Sequence, residues 1–211
     1  MRRVAIDARQ PAAAVLAEAV AILLAGGVVA MPTDTLYGLA ADPFSSAAIA
    51  RVFAVKGRPA ERAMPLVAAD VDQVVHQIGP LSELARRLAA RYWPGPLTLL
   101  VERPRSIPAD VAGGRNQIGV RVPAHVVARE LCRACGRLLT ATSANLSGAP
   151  PSSDPDEIER ALRDGVDLLL DAGRTPGGAP STIVDVTGHD ARLVRPGSIA
   201  WDDVQACMQR G

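Results

Sequence analysis

The only lysine of the chain, Lys56, lies in the turn Lys56-Gly57-Arg58-Pro59, whereas arginine supplies the other 22 basic residues. A lysine side chain ends in a compact, rotatable ammonium, whereas arginine ends in a planar guanidinium. The two groups replace each other poorly where a phosphate or a carboxylate is bound. Turns between regular elements often carry binding residues. The position of Lys56 therefore leaves two interpretations open, a binding residue and an ordinary surface lysine.

Arg121 is a second residue whose surroundings point to chemistry. It stands in the apolar, strand-like segment 118–122. A guanidinium in such a segment must either reach water or pair with an anion, because an unpaired buried charge is costly. We favour the anion. Ser181 and Arg195 show a similar pattern, since each lies at the edge of an apolar run near the C-terminus.

Hydroxyl and amide side chains stand at the ends of predicted strands. Thr33 and Thr35 follow the apolar run 28–31, and Ser143 and Asn145 follow the run 138–141. Ligands of open α/β sheets bind at strand ends, and a tight run of hydroxyl, amide and backbone donors suits an anion. Taken singly, such residues also serve as helix caps and turns.

The combination of cations and hydroxyl groups suits the binding and charge stabilisation of phosphoryl groups and carboxylates. It does not favour covalent catalysis, because none of the three histidines has a nucleophile nearby in a recognisable turn. Neither of the common glycine-rich phosphate signatures occurs. A nucleotide would therefore bind by other means.

The elements that must position these residues alternate along the chain. Pro11 begins a helical stripe that ends at the glycine pair 26–27, and serines at 45–46 and at 82 are suited to cap two further helices. Further helices are predicted at 126–135, 155–163 and 202–208. Strands are predicted at 28–31, 65–69, 97–101, 118–122, 138–141, 166–170, 182–186 and 191–194. This order predicts an α/β fold, with a twisted open sheet of mixed strand direction flanked by helices.

The composition limits the class of protein. With 211 residues, 48% of them apolar, the chain suits a single domain. A net charge of +1 and an aromatic content of 3% do not favour a non-specific nucleic-acid binder or an RNA module built on stacking rings. The uncharged stretch between Glu18 and Asp34 is too short and too interrupted to span a bilayer, and no signal peptide is evident. We expect no membrane association and a cytoplasmic location.

The cysteines and histidines do not predict a metal site. Cys132 and Cys135 form a single Cys-x-x-Cys without a second pair, and the histidines lack a ligand spacing. We expect reduced cysteines with packing or surface roles. We also expect no metal held by the protein.

Six motifs in the same order resemble the YrdC-like family. The resemblance runs from about residue 28 to residue 197, most of the chain, and six ordered motifs are far more specific than any one of them. They are Met31-Pro32-Thr33-Asp34-Thr35-Leu36-Tyr37-Gly38-Leu39, Lys56-Gly57-Arg58-Pro59, Pro94-Gly95-Pro96-Leu97-Thr98, Val120-Arg121-Val122-Pro123-Ala124-His125, Ser143-Ala144-Asn145-Leu146-Ser147-Gly148 and Ser181-Thr182-Ile183-Val184-Asp185.

The resemblance implies a twisted α/β sheet curved around a large basic cavity. It also implies a nucleotidyltransferase that converts L-threonine, bicarbonate or CO2, and ATP into threonylcarbamoyl-AMP and pyrophosphate. A partner threonylcarbamoyl transferase complex would use this adenylate to modify an adenosine beside the anticodon of certain tRNAs. Mg²⁺ is expected to be held chiefly through the phosphate oxygens of ATP.

The resemblance also assigns roles to individual residues. Lys56 and Arg58 would act in catalysis, with Lys56 serving the phosphates or the carbamate. The residues implied to hold L-threonine are Thr35, Arg121 and Ser181. Those implied to line the ATP site are Arg58, Ser143, Asn145 and Arg195.

The chain departs from the family pattern at one place. Many relatives shorten the stretch after the Lys-x-Arg-Pro turn and place an asparagine directly before Pro-Leu, whereas Ala60-Glu61-Arg62-Ala63-Met64 precedes Pro65 here. Arg62 is either a replacement phosphate contact or a solvated side chain, and it is left out of the predicted site.

Two other functions remain as alternatives. One is a module that binds double-stranded RNA or tRNA without catalysis, which would show a steep salt dependence and no ATP turnover. The other is a carbamoyl-adenylate-forming domain of the kind found in hydrogenase-maturation proteins. Such domains normally occur in longer chains with zinc-finger and acylphosphatase-like parts, so the threonine-dependent reaction is favoured.

Overall fold

The computed structural model describes residues 1–57 and 63–209 of the chain, and helices and strands alternate along them. The helices in these ranges are α1 (Ala13–Leu24), α2 (Ser46–Lys56), α3 (Val71–Ile78), α4 (Glu83–Tyr92), α5 (Val126–Cys135), α6 (Pro155–Leu162) and α7 (Trp201–Gln209). The strands are β1 (Arg2–Ala5), β2 (Val29–Met31), β3 (Gly38–Ala40), β4 (Leu66–Val67), β5 (Leu97–Glu102), β6 (Gln117–Arg121), β7 (Leu139–Thr140), β8 (Thr142–Ser143), β9 (Leu168–Asp171), β10 (Thr182–Asp185) and β11 (Arg192–Arg195).

These strands form two sheets of mixed direction. The first sheet has the order β1-β9-β2-β3-β8, in which β9 runs parallel to β1 and β2, and β3 is antiparallel to β2 and β8. The second has the order β11-β10-β5-β6-β4-β7, with parallel pairs at β10–β5 and β6–β4. Its other three pairs, β11–β10, β5–β6 and β4–β7, are antiparallel.

Hydrogen bonds join the two sheets at one place. The Ala41 N–H donates to Thr140 Oγ1 over 2.9 Å, and the Thr140 N–H donates to Ala41 O over 3.0 Å. Ala41 directly follows β3, and Thr140 ends β7. The C-terminal end of β3 is thereby fixed against β7, an edge strand of the second sheet.

The central strand β2 is buried on both faces, and its side chains alternate between two apolar clusters. Ala30 packs into the larger cluster, together with Val52 and Phe53 of α2. Val29 and Met31 point the other way into a second cluster, to which α1 and α5 contribute. Successive side chains of a strand point to opposite faces, and both faces of β2 are covered by apolar residues. An uninterrupted apolar run therefore suits this strand.

Local signals fix the ends of the helices that border the site. Ser45 and Ser82 cap α2 and α4, since their side chains accept the N–H groups of Ala48 and Ala85 over 3.2 Å. Gly57 ends α2 in the left-handed conformation, with φ at +56°. This stop leaves Lys56 as the last helical residue.

The predicted α/β class, mixed strand direction and flanking helices are confirmed, but one expectation of the architecture was wrong. The strands form two sheets rather than one, because strand pairing depends on contacts between distant segments. β1, β3, β8 and α3 were not predicted. β8 has only two residues. β1 has exposed arginines, β3 is short and contains a glycine, and α3 is rich in β-branched valine, which favours strands.

The cysteines of the Cys-x-x-Cys pair lie buried in α5 as free thiols. Burial raises the pKa of both the Cys132 and the Cys135 thiol, which disfavours the reactive thiolate. Their packing in the second apolar cluster agrees with the role expected for them. Within the two described ranges, no helix is both long enough and apolar enough to cross a membrane.

Candidate functional site

The register of the second sheet brings distant polar residues to one edge. Ile183 of β10 lies opposite both Thr98 of β5 and Arg195 of β11. The antiparallel β5–β6 ladder pairs Leu99 with Val120 and Leu100 with Gly119, so the next step of that ladder places Thr98 opposite Arg121. Ser181 directly precedes β10 and lies at the same end.

We call the set of Thr98, Arg121, Ser181 and Arg195 the arginine–hydroxyl edge. Thr98, Ser181 and Arg195 contact one another, and the strand register places Arg121 opposite Thr98. The Ser181 hydroxyl lies 2.8 Å from that of Thr98. Arg195 Nη2 donates to Ser181 O over 2.6 Å and to Ser181 Oγ over 3.1 Å. The bond between the two hydroxyls is buried and shielded from water, whereas Arg195 belongs to an exposed strand and its bonds to Ser181 are only partly buried.

Positive charge accumulates at this edge. Burial lowers the pKa of the Arg195 guanidinium, and the nearby charge of Arg121 lowers it further. Arginine remains protonated in proteins, so the shift reflects partial desolvation and, after it, the like charge of Arg121 rather than a loss of charge. A carboxylate or phosphate placed between them would relieve the repulsion.

Arg121 has an anionic partner within the protein. Its Nη2 donates to Asp34 Oδ1 over 2.6 Å, and its Nε donates to Gly95 O over 2.8 Å. The arginine is 7% exposed. The second carboxylate oxygen of Asp34 is buried and accepts no hydrogen bond from the described residues. Arg121 thus pairs with an internal anion, Asp34, and its expected role toward a bound carboxylate stays a prediction.

Thr35 lies on the hairpin between β2 and β3, one residue beyond Asp34. The hydroxyls of Thr33 and Thr35 are 3.2 Å apart, and Thr33 Oγ1 donates to Leu36 O over 2.6 Å. The Arg121–Asp34 ion pair thus places Thr35 beside the arginine–hydroxyl edge. All three residues predicted to hold threonine are near one another.

Lys56 organises a second group of predicted site residues. Its ammonium donates to the backbone oxygen of Ser143, to Asn145 O over 2.9 Å and to Asn145 Oδ1 over 3.0 Å. Ser143 Oγ donates to the same Oδ1 over 2.5 Å. Because Lys56 is only 4% exposed, the interpretation as an ordinary surface lysine was wrong.

A backbone connection joins this second group to the hairpin that carries Thr35. Gly38 of β3 pairs with Ser143 of β8, and the Ala144 N–H donates to Tyr37 O over 2.9 Å. The Tyr37 hydroxyl donates to Gly173 O over 2.8 Å, and burial raises its pKa to about 12. The hairpin therefore fixes the two groups relative to each other.

Two long loops, 147–153 and 173–180, lie next to the hairpin that carries Thr35. In the loop 173–180, the Gly177 N–H donates to Thr35 O over 2.8 Å. In the same loop, the Thr175 N–H donates over 3.0 Å to the backbone oxygen of Ser153, which ends the loop 147–153. The two loops thus contact each other beside Thr35, one of the residues predicted to hold L-threonine.

The structure does not describe every predicted site residue, and it adds two residues that were not predicted. Arg58 and Arg62 fall in the segment that the structure does not describe, so the catalytic and ATP-binding roles of Arg58 stay predictions. Asp34 and Thr98 belong to the site by contact but were not assigned roles from sequence. Both stand inside recognised motifs, Thr-Asp-Thr and Pro-Gly-Pro-Leu-Thr, which was the available signal.

Two cavities lie away from the arginine–hydroxyl edge. One, of about 490 Å³, is lined by residues of α2 and α6 that include Arg51 and Arg160. The other, of about 580 Å³, is lined by residues of α4 and α7 that include Arg87 and Trp201. The large basic cavity implied by the resemblance remains a prediction.

The described part of the chain contains no cluster of three or more His, Cys, Asp or Glu side chains suited to hold a metal ion. The predicted site instead consists of cations, hydroxyls and an amide. Such donors fit a cation that arrives already bound to phosphate oxygens better than one held by the protein.

Fold and site together define an α/β protein in which arginines and hydroxyls are brought together at one sheet edge. Residues 21–197 match the sequence model of the Sua5/YciO/YrdC family, which is described as "Telomere recombination". The chain belongs to this family.

Relatives and solved structures of the family cover most of the chain. A Pyrococcus abyssi relative named threonylcarbamoyl-AMP synthase is 34% identical over 85% of this chain, and a Marinobacter nauticus relative of the same name is 38% identical over 88%. The match spans 53% of the first relative and 99% of the second. The crystal structure of P. abyssi Sua5 complexed with L-threonine superposes with a TM-score of 0.93 and 30% identity, over 99% of this chain and 61% of that one.

Proposed function

We propose that this chain catalyses the formation of threonylcarbamoyl-AMP and pyrophosphate from L-threonine, bicarbonate or CO2, and ATP. The observation that carries the proposal is the convergence of Arg121, Ser181 and Thr35 beside Arg195, in a fold similar to a Sua5 structure that contains L-threonine. The chain spans about half the length of the first relative, so the activity is argued from the residues present here.

The arginine–hydroxyl edge would bind the amino acid. The Arg121 guanidinium has five N–H donors, and two of them, one on Nε and one on Nη2, bond within the protein. The remaining N–H groups would bind the threonine carboxylate. Ser181 and Thr35 supply neutral hydroxyl groups on either side. Because these side chains are held by buried hydrogen bonds, the substrate would meet a site that is already ordered.

The group around Lys56 would bind the nucleotide. Ser143 and Asn145 form a compact loop at the C-terminal end of α2, and Arg195 and Arg58 would add charge for the phosphates. Mg²⁺ held through the phosphate oxygens would further neutralise ATP. Lys56 directs its ammonium at this loop, so its contribution is to fix the loop as well as to supply positive charge.

The chemistry asks the protein mainly to position and to neutralise. The threonine amine takes up CO2 and loses protons to give a carbamate, and a carbamate oxygen then attacks the α-phosphorus of ATP with pyrophosphate as the leaving group. Negative charge builds up on the phosphates in this step. Arg195 and Lys56, together with Arg58 as predicted from the sequence, would stabilise it. We propose no covalent enzyme intermediate.

The product would require a partner. Threonylcarbamoyl-AMP is a mixed anhydride that hydrolyses unless it is consumed, so we propose a threonylcarbamoyl transferase complex as its acceptor and tRNA as the final substrate. The proposed reaction does not require that this chain itself bind tRNA. The cytoplasmic location expected from the sequence stays a prediction.

Pyrophosphate release by the purified protein tests the proposal. The assay contains ATP, Mg²⁺ and bicarbonate, with and without L-threonine, and mass spectrometry identifies the nucleotide product. Threonine-dependent release with the mass of threonylcarbamoyl-AMP is the expected result. Release without threonine and with the mass of carbamoyl-AMP would replace the proposal by the carbamoyl-adenylate reaction. Absence of turnover together with salt-sensitive RNA binding would replace it by the RNA-binding function.

A further inference from the structure

The hydroxyl of Ser181 lies between two other polar groups at the arginine–hydroxyl edge. Arg195 Nη2 is 3.1 Å from Ser181 Oγ, and Thr98 Oγ1 is 2.8 Å from it. Ser181 is 8% exposed and Thr98 is 2% exposed. Both hydroxyls are therefore shielded from bulk water and depend on protein or ligand partners.

The direction of these hydrogen bonds follows from what each group can donate. A guanidinium only donates, so Ser181 Oγ accepts from Arg195. Among the described residues, Ser181 Oγ is the one hydrogen-bond partner of Thr98 Oγ1. Either direction of the Thr98–Ser181 bond leaves one hydroxyl proton without a partner among the described residues. Thr98 is the more deeply buried of the two, so leaving its proton unpaired would cost more, and Thr98 therefore donates to Ser181 Oγ.

The single proton of Ser181 is then free. A hydroxyl has one proton and two acceptor positions, and Arg195 and Thr98 occupy both acceptor positions. Ser181 is left as a donor to a third group. A carboxylate accepts hydrogen bonds and donates none, so a hydroxyl fixed in this direction suits an anionic ligand.

We infer that Thr98 is a positioning residue that fixes Ser181 as a hydrogen-bond donor to the carboxylate of the bound amino acid. The inference rests on the proposed function, because it takes the ligand at this edge to be L-threonine. Thr98 does not itself touch the substrate. It acts by donating its own proton to Ser181 Oγ, so that the Ser181 proton is directed away from Thr98 and is available to the ligand.

Two substitutions at Thr98 separate its hydroxyl from its methyl group. The methyl group packs near Gly119, where a Cβ atom would lie 3.2 Å from Thr98 Cγ2. Thr98→Val keeps this shape and removes the hydroxyl, whereas Thr98→Ser keeps the hydroxyl and removes the methyl group. Thr140→Val is the matched control, because Thr140 is a fully buried strand residue whose hydroxyl bonds only to backbone groups of β3 and Ala41.

Calorimetric binding of L-threonine and the KM values for threonine and ATP are measured for each variant. Thr98→Val is expected to weaken threonine binding and raise the threonine KM about tenfold, the effect of a weakened bond to a charged group. The ATP KM should change less than twofold. Thr98→Ser and Thr140→Val should both retain the threonine affinity of the unchanged protein. Loss of affinity in Thr98→Ser but not in Thr98→Val would assign Thr98 to packing and overturn the inference.

The double variant with Ser181→Ala tests the route through Ser181. If Thr98 acts only by orienting that hydroxyl, Thr98→Val has no further effect on threonine affinity once Ser181 is alanine. Additive losses would overturn the inference, as would unchanged affinity in Thr98→Val. Failure of the unchanged protein to bind threonine would instead refute the proposed function, so the two failures are distinguishable.

Discussion

The partner of Arg121 shows how the site is prepared before a ligand binds. Asp34 holds the guanidinium over 2.6 Å and retains a buried second oxygen without a hydrogen bond from the described residues. An internal carboxylate beside a predicted carboxylate site keeps the arginine in place and limits the cost of burying its charge. The ion pair therefore stabilises the folded state and also orients Arg121 in the site.

Arg121→Ala is expected to raise the threonine KM by roughly 10- to 100-fold, because the carboxylate loses a charge-assisted partner. It should also lower the free energy of unfolding, since Asp34 would be left buried and unpaired. Steady-state pyrophosphate release and urea unfolding measure the two effects. Arg137→Ala is the matched control, because Arg137 pairs with buried Asp42 over 2.7 Å outside the site. It should lose stability but keep its threonine KM, and an equal rise in both variants would contradict a binding role for Arg121.

Replacing Lys56 by arginine should not preserve activity. The ammonium converges on three oxygens of Ser143 and Asn145, and a planar guanidinium cannot place its donors in the same way. Lys56→Arg and Lys56→Ala are both expected to lower kcat/KM for ATP by at least about tenfold, because the loop loses bonds to a charged donor. The assay is ATP-dependent pyrophosphate release at saturating threonine. Arg86→Lys, at a side chain that is 64% exposed on α4, should behave like the unchanged protein. Retained activity in Lys56→Arg would show that any cation suffices.

The turn after β11 positions Arg195 through close backbone contact. A Cβ atom on Gly197 would lie 2.3 Å from Pro180 O and 2.5 Å from the carbonyl carbon of Ser181. The Ser198 N–H donates to Pro180 O over 2.9 Å in the same region. Only glycine allows this turn to approach the segment that carries Ser181, so the spacing between Arg195 and Ser181 depends on it.

Gly197→Ala is expected to cost about 1–3 kcal/mol of stability, because backbone atoms must separate to accept the methyl group. It should also raise the KM for both substrates, since Arg195 and Ser181 move apart. Gly188→Ala provides the control within the β10–β11 connection, where the nearest atom to an added Cβ lies 3.8 Å away. Thermal unfolding and pyrophosphate release are measured for both variants. A destabilised Gly197→Ala protein with unchanged KM values would show that the turn supports the fold alone.

The sequence predicted the elements of this fold better than their pairing. The serine cap at 45–46 is a local signal, and it marked the start of α2 correctly. The bond between Thr98 and Ser181 joins residues 83 positions apart. Such a contact depends on which strands pair and in what register, which periodicity does not contain. The contact between Asp34 and Arg121 was inaccessible for the same reason, although both residues stood in recognised motifs.

Asp167 connects three separate segments and makes the stability of the whole molecule depend on pH. Its carboxylate accepts the Val28 N–H over 2.7 Å and an Arg51 N–H over 2.9 Å, and its backbone oxygen accepts the Arg2 N–H over 2.8 Å. Burial alone would raise its pKa, but the bonds from Arg51 and Val28 outweigh this effect and lower it. The folded state therefore binds the proton less readily than the unfolded state. The ionised carboxylate stabilises the protein above its ordinary pKa of 3.8, and this contribution is lost as the pH falls through and below that value.

Asp167→Asn is expected to lower the free energy of unfolding by about 1 kcal/mol near neutral pH, a modest value because the Arg51 contact is partly exposed. The difference from the unchanged protein should shrink as the pH falls below 3.8, because protonation then removes the same charge from Asp167. Urea midpoints measured from about pH 7 down to about pH 3 test this dependence. Asp164→Asn, at an exposed position three residues earlier, should match the unchanged protein within about 0.5 kcal/mol. A deficit in Asp167→Asn that is constant over the whole range would assign the effect to altered hydrogen bonding rather than to charge, and the link between α2, β2 and β1 would then be independent of pH.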